Sequence, residues 1–441
     1  MKTRTMNLTR RASRFSDRRL RANRLYNPGN SASAFTLIEM LVSMAVLILI
    51  MSLLFQAISS SSVLWTRTAG KVQAFQASRA AFESMTRNLS QATLQNYYGY
   101  ADSSGNPVPL INPSFHSITP LDRSKMPTKY LRQSELHFVC GPVSGSLPGG
   151  IFAPSPMANG TSLNTVGGGV FFQAPLGNSD ASSYQTSPTM LNICGYYVQF
   201  EENDDNNGAG TGAIPSFNWS APNGPAKTYR YHLMEVNQPA EANAVYQSTA
   251  QIDSNGLPKT TYDLNWLNKL NLTSRANRHV LADNVLFLAF LPKLAPEDEE
   301  KIRGTGPGTA TGDLLAPYYA YDSRSWITGY PGNGLTRTGS NQTLVERVIM
   351  NRLPPLIQVV MVAIDEKSAQ MLALKYGGSG NTPPLSNMQA VLPLEGPQRL
   401  FQNAANFQAD IATLEKDLGS LGLNYRIFQT EVRLPGASYG E

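Results

Sequence analysis

One apolar run near the amino terminus constrains this chain more than any other feature. Between Phe35 and Phe55, Glu39 is the sole charged residue in 21 positions. A helix of that length spans about 30 Å, which matches the hydrocarbon core of a bilayer. A carboxylate inside a membrane helix costs about 2.5–3.5 kcal/mol, so it indicates a function with a partner group. The run therefore predicts a transmembrane helix over residues 35–55 in which Glu39 has a specific role.

The distribution of charge predicts the orientation of that helix. Residues 1–34, the leader, hold nine Lys and Arg against Asp17, a net charge of +8. Because the whole chain carries +5, the remainder carries −3. Positive residues beside the first apolar segment stay in the cytoplasm, so we expect the leader there and the rest of the chain outside. A single aromatic residue, Phe15, lies among the arginines, and no nucleic-acid partner is expected.

The residues Ala34-Phe35-Thr36-Leu37-Ile38-Glu39 resemble the processing site of type IV prepilins and type II secretion pseudopilins. This resemblance implies that prepilin peptidase removes residues 1–34 by cutting between Ala34 and Phe35. It implies that Phe35 is then N-methylated, and that Glu39 pairs with the Phe35 amine of a neighbouring subunit during filament assembly. It also implies a single-pass protein of the inner membrane, with a periplasmic or extracellular C-terminal domain and other pilin or pseudopilin subunits as partners. The chain departs from the family at Ala34, where glycine is usual.

Helical periodicity continues beyond the membrane segment. No proline occurs between residues 35 and 106, and apolar residues recur at spacings of 3, 7, 3 and 4. Such a stripe most commonly packs against a sheet. We therefore expect residues 56–95 to form an amphipathic continuation of the N-terminal helix. The stripe consists of Val72, Phe75, Phe82, Met85 and Leu89.

After Tyr97 the pattern changes to short strands and long polar loops. Segments rich in β-branched or aromatic residues, bounded by Gly, Pro or Asn, predict seven strands, and this number favours an antiparallel sheet. The strands are predicted at 135–140, 170–173, 191–201, 228–236, 284–290, 356–364 and 426–434; helices are predicted at 366–374 and 408–418, and surface loops at 141–169, 203–226 and 304–342.

Two of these strands differ in the burial that their patterns predict. The alternation of Tyr229, Tyr231 and Leu233 predicts a half-buried strand, whereas residues 357–362 predict a strand buried on both faces. The predicted fold class is α+β and pilin-like. A long N-terminal helix packs on a large antiparallel β-sheet domain with long loops, which occupies residues 96–441.

Two downstream segments extend the resemblance. Residues 228–233, followed by residues 353–359, are similar in order to the J-type minor pseudopilin. The ending, at 425–428 and 434–437, resembles the large prepilin-like proteins called Verru_Chthon cassette protein C.

The cysteines of the chain are Cys140 and Cys194, each in a predicted strand. An even pair in an exported domain favours a disulfide, which would tie neighbouring strands and stabilise the domain by about 2–4 kcal/mol. The alternative is two buried free thiols.

An acidic run at residues 201–208 is a weak candidate for a calcium loop. Asn203, Asp205 and Asn207 resemble the first half of such a loop, but Ile214 at the twelfth position supplies no carboxylate. A solvated turn is the alternative, and no other cofactor is expected.

The sequence patterns that could indicate catalysis lack the features that an enzyme requires. The four histidines lack the spacing of metal ligands, and the G-x-S-x-G match at 436–440 is not followed by the helix that a nucleophile elbow needs. Two functions remain. The first is a minor pilin or pseudopilin that assembles into a type IV pilus or a type II secretion-like filament. The second is a signal-anchored exported binding domain that does not polymerise.

Overall fold

A computed structural model gives the fold. It describes residues 36–101, 128–143, 164–181, 187–202, 229–243, 270, 278–295, 321–323, 351–377, 383–394, 400–401 and 406–437. The helices and strands are α1 (Leu37–Leu89), β1 (Tyr97–Ala101), β2 (Lys129–Gln133), β3 (Val139–Pro142), β4 (Thr165–Pro175), β5 (Leu191–Glu202), β6 (Tyr229–Gln238), β7 (Arg278–Asp283), β8 (Val285–Lys293), β9 (Tyr321–Asp322), β10 (Leu356–Ile364), α2 (Glu366–Tyr376), α3 (Phe407–Ser420) and β11 (Tyr425–Arg433). Short 3₁₀ turns occur at Ala240–Ala242 and Pro384–Asn387.

The chain divides into two compact units, Met1–Thr66 and Arg67–Glu441. The division falls inside α1. In the first unit, the described residues are Thr36 and the α1 residues that follow it. The second unit contains the carboxyl part of α1 together with the strands and the two later helices.

The described strands of the second unit form three sheets. The largest has the order β7-β6-β5-β4-β3-β9, the second has the order β11-β10-β8, and β1 and β2 form a separate pair. Every pairing among these strands is antiparallel. An N-terminal apolar helix followed by a largely antiparallel β-sheet domain confirms the predicted α+β class.

β5 lies inside the largest sheet and is buried on both of its faces. Phe171 of β4 contacts Tyr197 on one face, with ring centroids 6.1 Å apart. On the other face, Phe172 lies 6.4 Å from Tyr196. These large side chains are fully buried, so β4 and β5 form the centre of the core.

β10 begins and ends at the residues that the sequence predicts. Ile357 and Val359 on one face and Val360 and Val362 on the other are all fully buried. A continuous apolar run is typical of a strand covered on both sides, and the prediction for this strand is confirmed.

The beginning of β4 is a strand where the sequence predicts a loop. Gly167 has a φ of +71°, and a Cβ at this position would lie 2.6 Å from the carbonyl oxygen of Leu288. The register against β5 shifts here, between Val166 and Val170. The glycines therefore mark a bulge where β4 approaches the backbone of β8 closely, and not a surface loop.

Several other short strands escape the sequence pattern. β1, β2, β7 and β9 were not among the seven predicted, and the two residues of β9 fall in the predicted loop 304–342. β3 begins at Val139, although the sequence predicts a strand from Glu135. Strands of two to six residues are too short to show a clear alternation. The predicted loop 203–226 lies outside the described residues.

Candidate membrane and assembly segment

Thr36 and Glu39 form a reciprocal cap at the beginning of α1. The hydroxyl oxygen of Thr36 accepts a hydrogen bond from the backbone N–H of Glu39 at 3.4 Å. In return, Oε2 of Glu39 accepts from the backbone N–H of Thr36 at 3.5 Å and from its hydroxyl at 3.4 Å. This is the capping box of the T-x-x-E pattern, and it places a carboxylate at the positive end of the helix dipole. The predicted cleavage site, Ala34 and Phe35, lies outside the described residues.

α1 continues from this cap into an apolar span, Leu37–Ser62, that is long and apolar enough to cross a membrane. Its 26 residues extend for about 39 Å, more than a hydrocarbon core of about 30 Å requires. The large apolar side chains of the span are exposed. Glu39 is the sole charged residue between positions 36 and 66. This one helix is the part of the described chain that can span a membrane.

The carboxyl part of α1 packs into the β domain. Phe82, Met85 and Leu89 of the predicted stripe are buried. Val72, in contrast, is 50% exposed, and the first buried residue described on α1 is Ser78. Phe75 is half-buried, so among the described side chains of the stripe full burial begins at Phe82.

Two kinds of contact hold this part of the helix. The ring of Phe82 lies 5.7 Å from the ring of Phe428 on β11. Asn88 donates a hydrogen bond of 2.9 Å to the hydroxyl of Tyr196, and that hydroxyl donates to Glu235 at 2.7 Å. α1 thus contacts both large sheets within the second unit, by an aromatic contact and a polar chain.

Cys140 and Cys194 are both buried and free in the structure. They lie on β3 and β5, which β4 separates: Cys140 pairs with Val170 and Cys194 pairs with Phe172. Two strand spacings of about 4.8 Å exceed the limit of about 7 Å between the Cα atoms of a disulfide. The disulfide considered from the sequence is therefore not formed here, and the structure has the alternative, two buried free thiols.

Burial also makes these thiols poor nucleophiles. It raises the pKa of Cys194 to about 12 and raises the pKa of Cys140 as well. Because the thiolate is the reactive form, we expect no reaction with Ellman's reagent in the folded protein at mildly alkaline pH. After unfolding without reductant, both thiols should react. Release of thiols only after reduction would contradict the free state.

The candidate calcium ligands Asn203, Asp205 and Asn207 lie outside the described residues, and the calcium loop stays a hypothesis. In the part of the chain that the structure describes, no group of three His, Cys, Asp or Glu residues could hold a metal ion. Two of the histidines each pair with one aspartate instead: Nε2 of His137 lies 2.5 Å from Asp322, and Nδ1 of His232 lies 2.8 Å from Asp283.

Sequence reasoning missed a buried charged face on β6. Arg230 and His232 would face solvent if the strand were half-buried, but they are 7% and 3% exposed. Arg230 pairs with Glu366 on α2 at 2.6 Å, and Arg278 on β7 pairs with Glu201 on β5 at 3.2 Å. No local pattern gives these partners, because each pair joins residues far apart in the sequence.

Pairing shifts the pKa values of two carboxylates, those of Glu366 and Asp283. Partial burial acts to raise the pKa of Glu366, but hydrogen bonds from Arg230, Asn284 and Gln370 outweigh it and hold that pKa below its usual value. The hydrogen bond from His232 lowers the pKa of Asp283. Satisfying buried charges in this way avoids the cost of an isolated ion, so the arrangement serves the fold.

No protein-family model, curated protein or solved structure matches this chain.

Proposed function

We propose that the chain is a prepilin-like minor pilin or pseudopilin. Prepilin peptidase removes residues 1–34, Phe35 is N-methylated, and the mature subunit assembles through α1 into a type IV pilus or a type II secretion-like filament. The proposed role is structural, and its partners are the peptidase and other pilin or pseudopilin subunits.

The proposal rests on the position of Glu39 in the apolar helix and on the hydrogen bonds that its carboxylate makes. It is the one charge in a helix segment long and apolar enough to cross a membrane, and a carboxylate there needs a partner. Its Oε2 atom makes long hydrogen bonds of 3.4–3.5 Å to Thr36. Its Oε1 atom makes no hydrogen bond within the described residues. A neighbouring subunit's ammonium at Phe35 can therefore bind Oε1 while the cap on Thr36 persists.

Charge supports the proposed orientation. The leader carries +8, and the positive-inside rule keeps such a segment in the cytoplasm. The second unit then lies on the periplasmic or extracellular side of the inner membrane, where it contacts partners or substrates of the filament. Removal of the leader leaves a net charge of −3 on the rest of the chain.

Mass spectrometry of the protein purified from its own membranes tests the processing step. We expect a mature protein that begins at N-methylated Phe35, because Ala34 keeps the small side chain before the cut. A variant with Ala34→Arg should keep its leader, since a bulky charged side chain replaces the small one. An intact leader on the unmodified protein would contradict the proposal and would favour a signal-anchored exported binding domain that does not polymerise.

A further inference from the structure

The pair β1–β2 presents a face of exposed tyrosines. In its register Tyr98 lies opposite Arg132, and Tyr100 lies opposite Tyr130. Residues directly opposite each other in an antiparallel pair share a face, so these four side chains lie together, and we call them the tyrosine face. The exposed fractions of Tyr98, Tyr100 and Tyr130 are 46%, 41% and 61%. Exposed rings grouped in this way are unusual on a surface that binds nothing.

The side chains of the tyrosine face hold one another in place. Tyr98 and Tyr130 stack with centroids 5.7 Å apart, and Tyr100 meets Tyr130 edge to face at 5.4 Å. The guanidinium of Arg132 lies 6.0 Å from the centroid of Tyr98. The ring of Tyr98 therefore contacts both Tyr130 and Arg132. The face is ordered before any partner binds.

Contacts to the rest of the second unit fix the position of the pair. The side chain of Asn351 donates a hydrogen bond of 2.9 Å to the carbonyl of Arg132. Ser134, which follows β2, donates to the carbonyl of Leu94. Gln133 closes the pair by donating to the carbonyl of Tyr100 at 3.0 Å. A surface built on such a support loses little conformational entropy on binding.

The groups left for a partner are phenol hydroxyls and positive charge. The hydroxyls of Tyr98, Tyr100 and Tyr130 make no hydrogen bond within the described residues. Arg132 supplies the charge of the face, and the two strands contain no Asp or Glu. The face therefore offers hydroxyl donors beside a guanidinium that can bind a carboxylate.

We propose that the tyrosine face is a docking surface for a protein partner that presents carboxylate side chains. Tyr and Arg are the residues that most often dominate protein interfaces, since they combine large contact area with hydrogen bonding. Single-stranded nucleic acid stacks its bases on open aromatic rings, whereas these rings already pack on each other and on Arg132. The proposal does not depend on the filament role.

Photo-cross-linking in cells tests the proposal with the full-length protein. Tyr130→p-benzoylphenylalanine places the probe in the face, and Leu374→p-benzoylphenylalanine is the control, because Leu374 of α2 is 89% exposed. We expect irradiation to yield a covalent adduct with a polypeptide from the probe at 130 and not from the control. The cross-linked peptides should map to a surface that carries Asp or Glu side chains.

Charge variants at Arg132 test whether the face binds the partner through carboxylate side chains. Arg132→Glu in the probe-bearing protein should reduce the adduct by at least about tenfold, and Arg132→Lys should reduce it less, because Lys keeps the charge but not the two-pronged geometry. A thermal scan verifies that both variants fold. No adduct, an equal adduct at position 374, an adduct with nucleic acid or polysaccharide only, or a yield unaffected by Arg132→Glu would each overturn the proposal.

Discussion

Glu39→Gln is expected to reduce assembly of the proposed filament strongly while leaving membrane insertion and cleavage intact. Glutamine keeps the side-chain oxygen that caps Thr36, since Gln serves in a capping box as well as Glu. It has no charge to pair with the Phe35 ammonium of a neighbouring subunit. A hydrogen bond to a charged partner contributes about 1.5–3 kcal/mol, so the assembled fraction should fall by about 10- to 100-fold. The measurement is the amount of variant in sheared filaments, normalised to cleaved protein in the membrane.

Two companion variants separate the charge from the cap. Thr36→Ala removes the hydroxyl to which Oε2 of Glu39 and the backbone N–H of Glu39 bond, but it retains the carboxylate. We expect Thr36→Ala to assemble nearly normally, because the loss of an exposed cap costs about 1 kcal/mol of helix stability and leaves the docking charge. Glu39→Leu should fail in assembly like Glu39→Gln. Normal assembly of Glu39→Gln together with failure of Thr36→Ala would show that the residue acts as a cap and not as a docking charge.

Leu89→Ala is expected to destabilise the β domain by about 2–5 kcal/mol, the range for removing a fully buried leucine. Leu89 lies at the end of α1 and is 0% exposed. The substitution leaves a cavity between helix and sheet that close packing cannot easily fill. Denaturant unfolding of the detergent-solubilised full chain, followed by tryptophan fluorescence, gives the change in free energy of unfolding.

Leu374→Ala is the matched control for that measurement. The same atoms are removed from a helix position that is 89% exposed, so the free energy of unfolding should change by no more than about 0.5 kcal/mol. Equal losses at both positions would mean that the carboxyl part of α1 is not packed into the domain. The control also corrects for helix propensity, which slightly favours alanine over leucine.

Some elements could be predicted from the sequence because one local signal decides each of them. The boundaries of β10 follow from a continuous apolar run, and Phe82, Met85 and Leu89 follow from helical spacing. The predicted strands at 191–201 and 284–290 also correspond to β5 and β8, with ends that differ by a few residues.

Other features could not be predicted from neighbouring residues in the sequence. The glycines at the beginning of β4 have the composition of a loop, and only the approach of the Leu288 carbonyl explains them. The burial of Arg230 required a partner, Glu366, that lies 136 residues away in the chain. The tyrosine face likewise depends on a strand pairing that places Tyr100 beside Tyr130, 30 residues further along the chain.

The sequence by itself determined the apolar span, its single carboxylate and the charge of the leader, because these depend on composition along consecutive residues. It also determined the α+β class through the change from helical to alternating spacing. Only the tertiary structure decided that Cys140 and Cys194 stand two strands apart, since strand order is set by which strands pack together. The charged face of β6 and the tyrosine face each formed for the same reason. In both, strands or helices far apart in the sequence pair with each other, and side chains that no local pattern connects become neighbours.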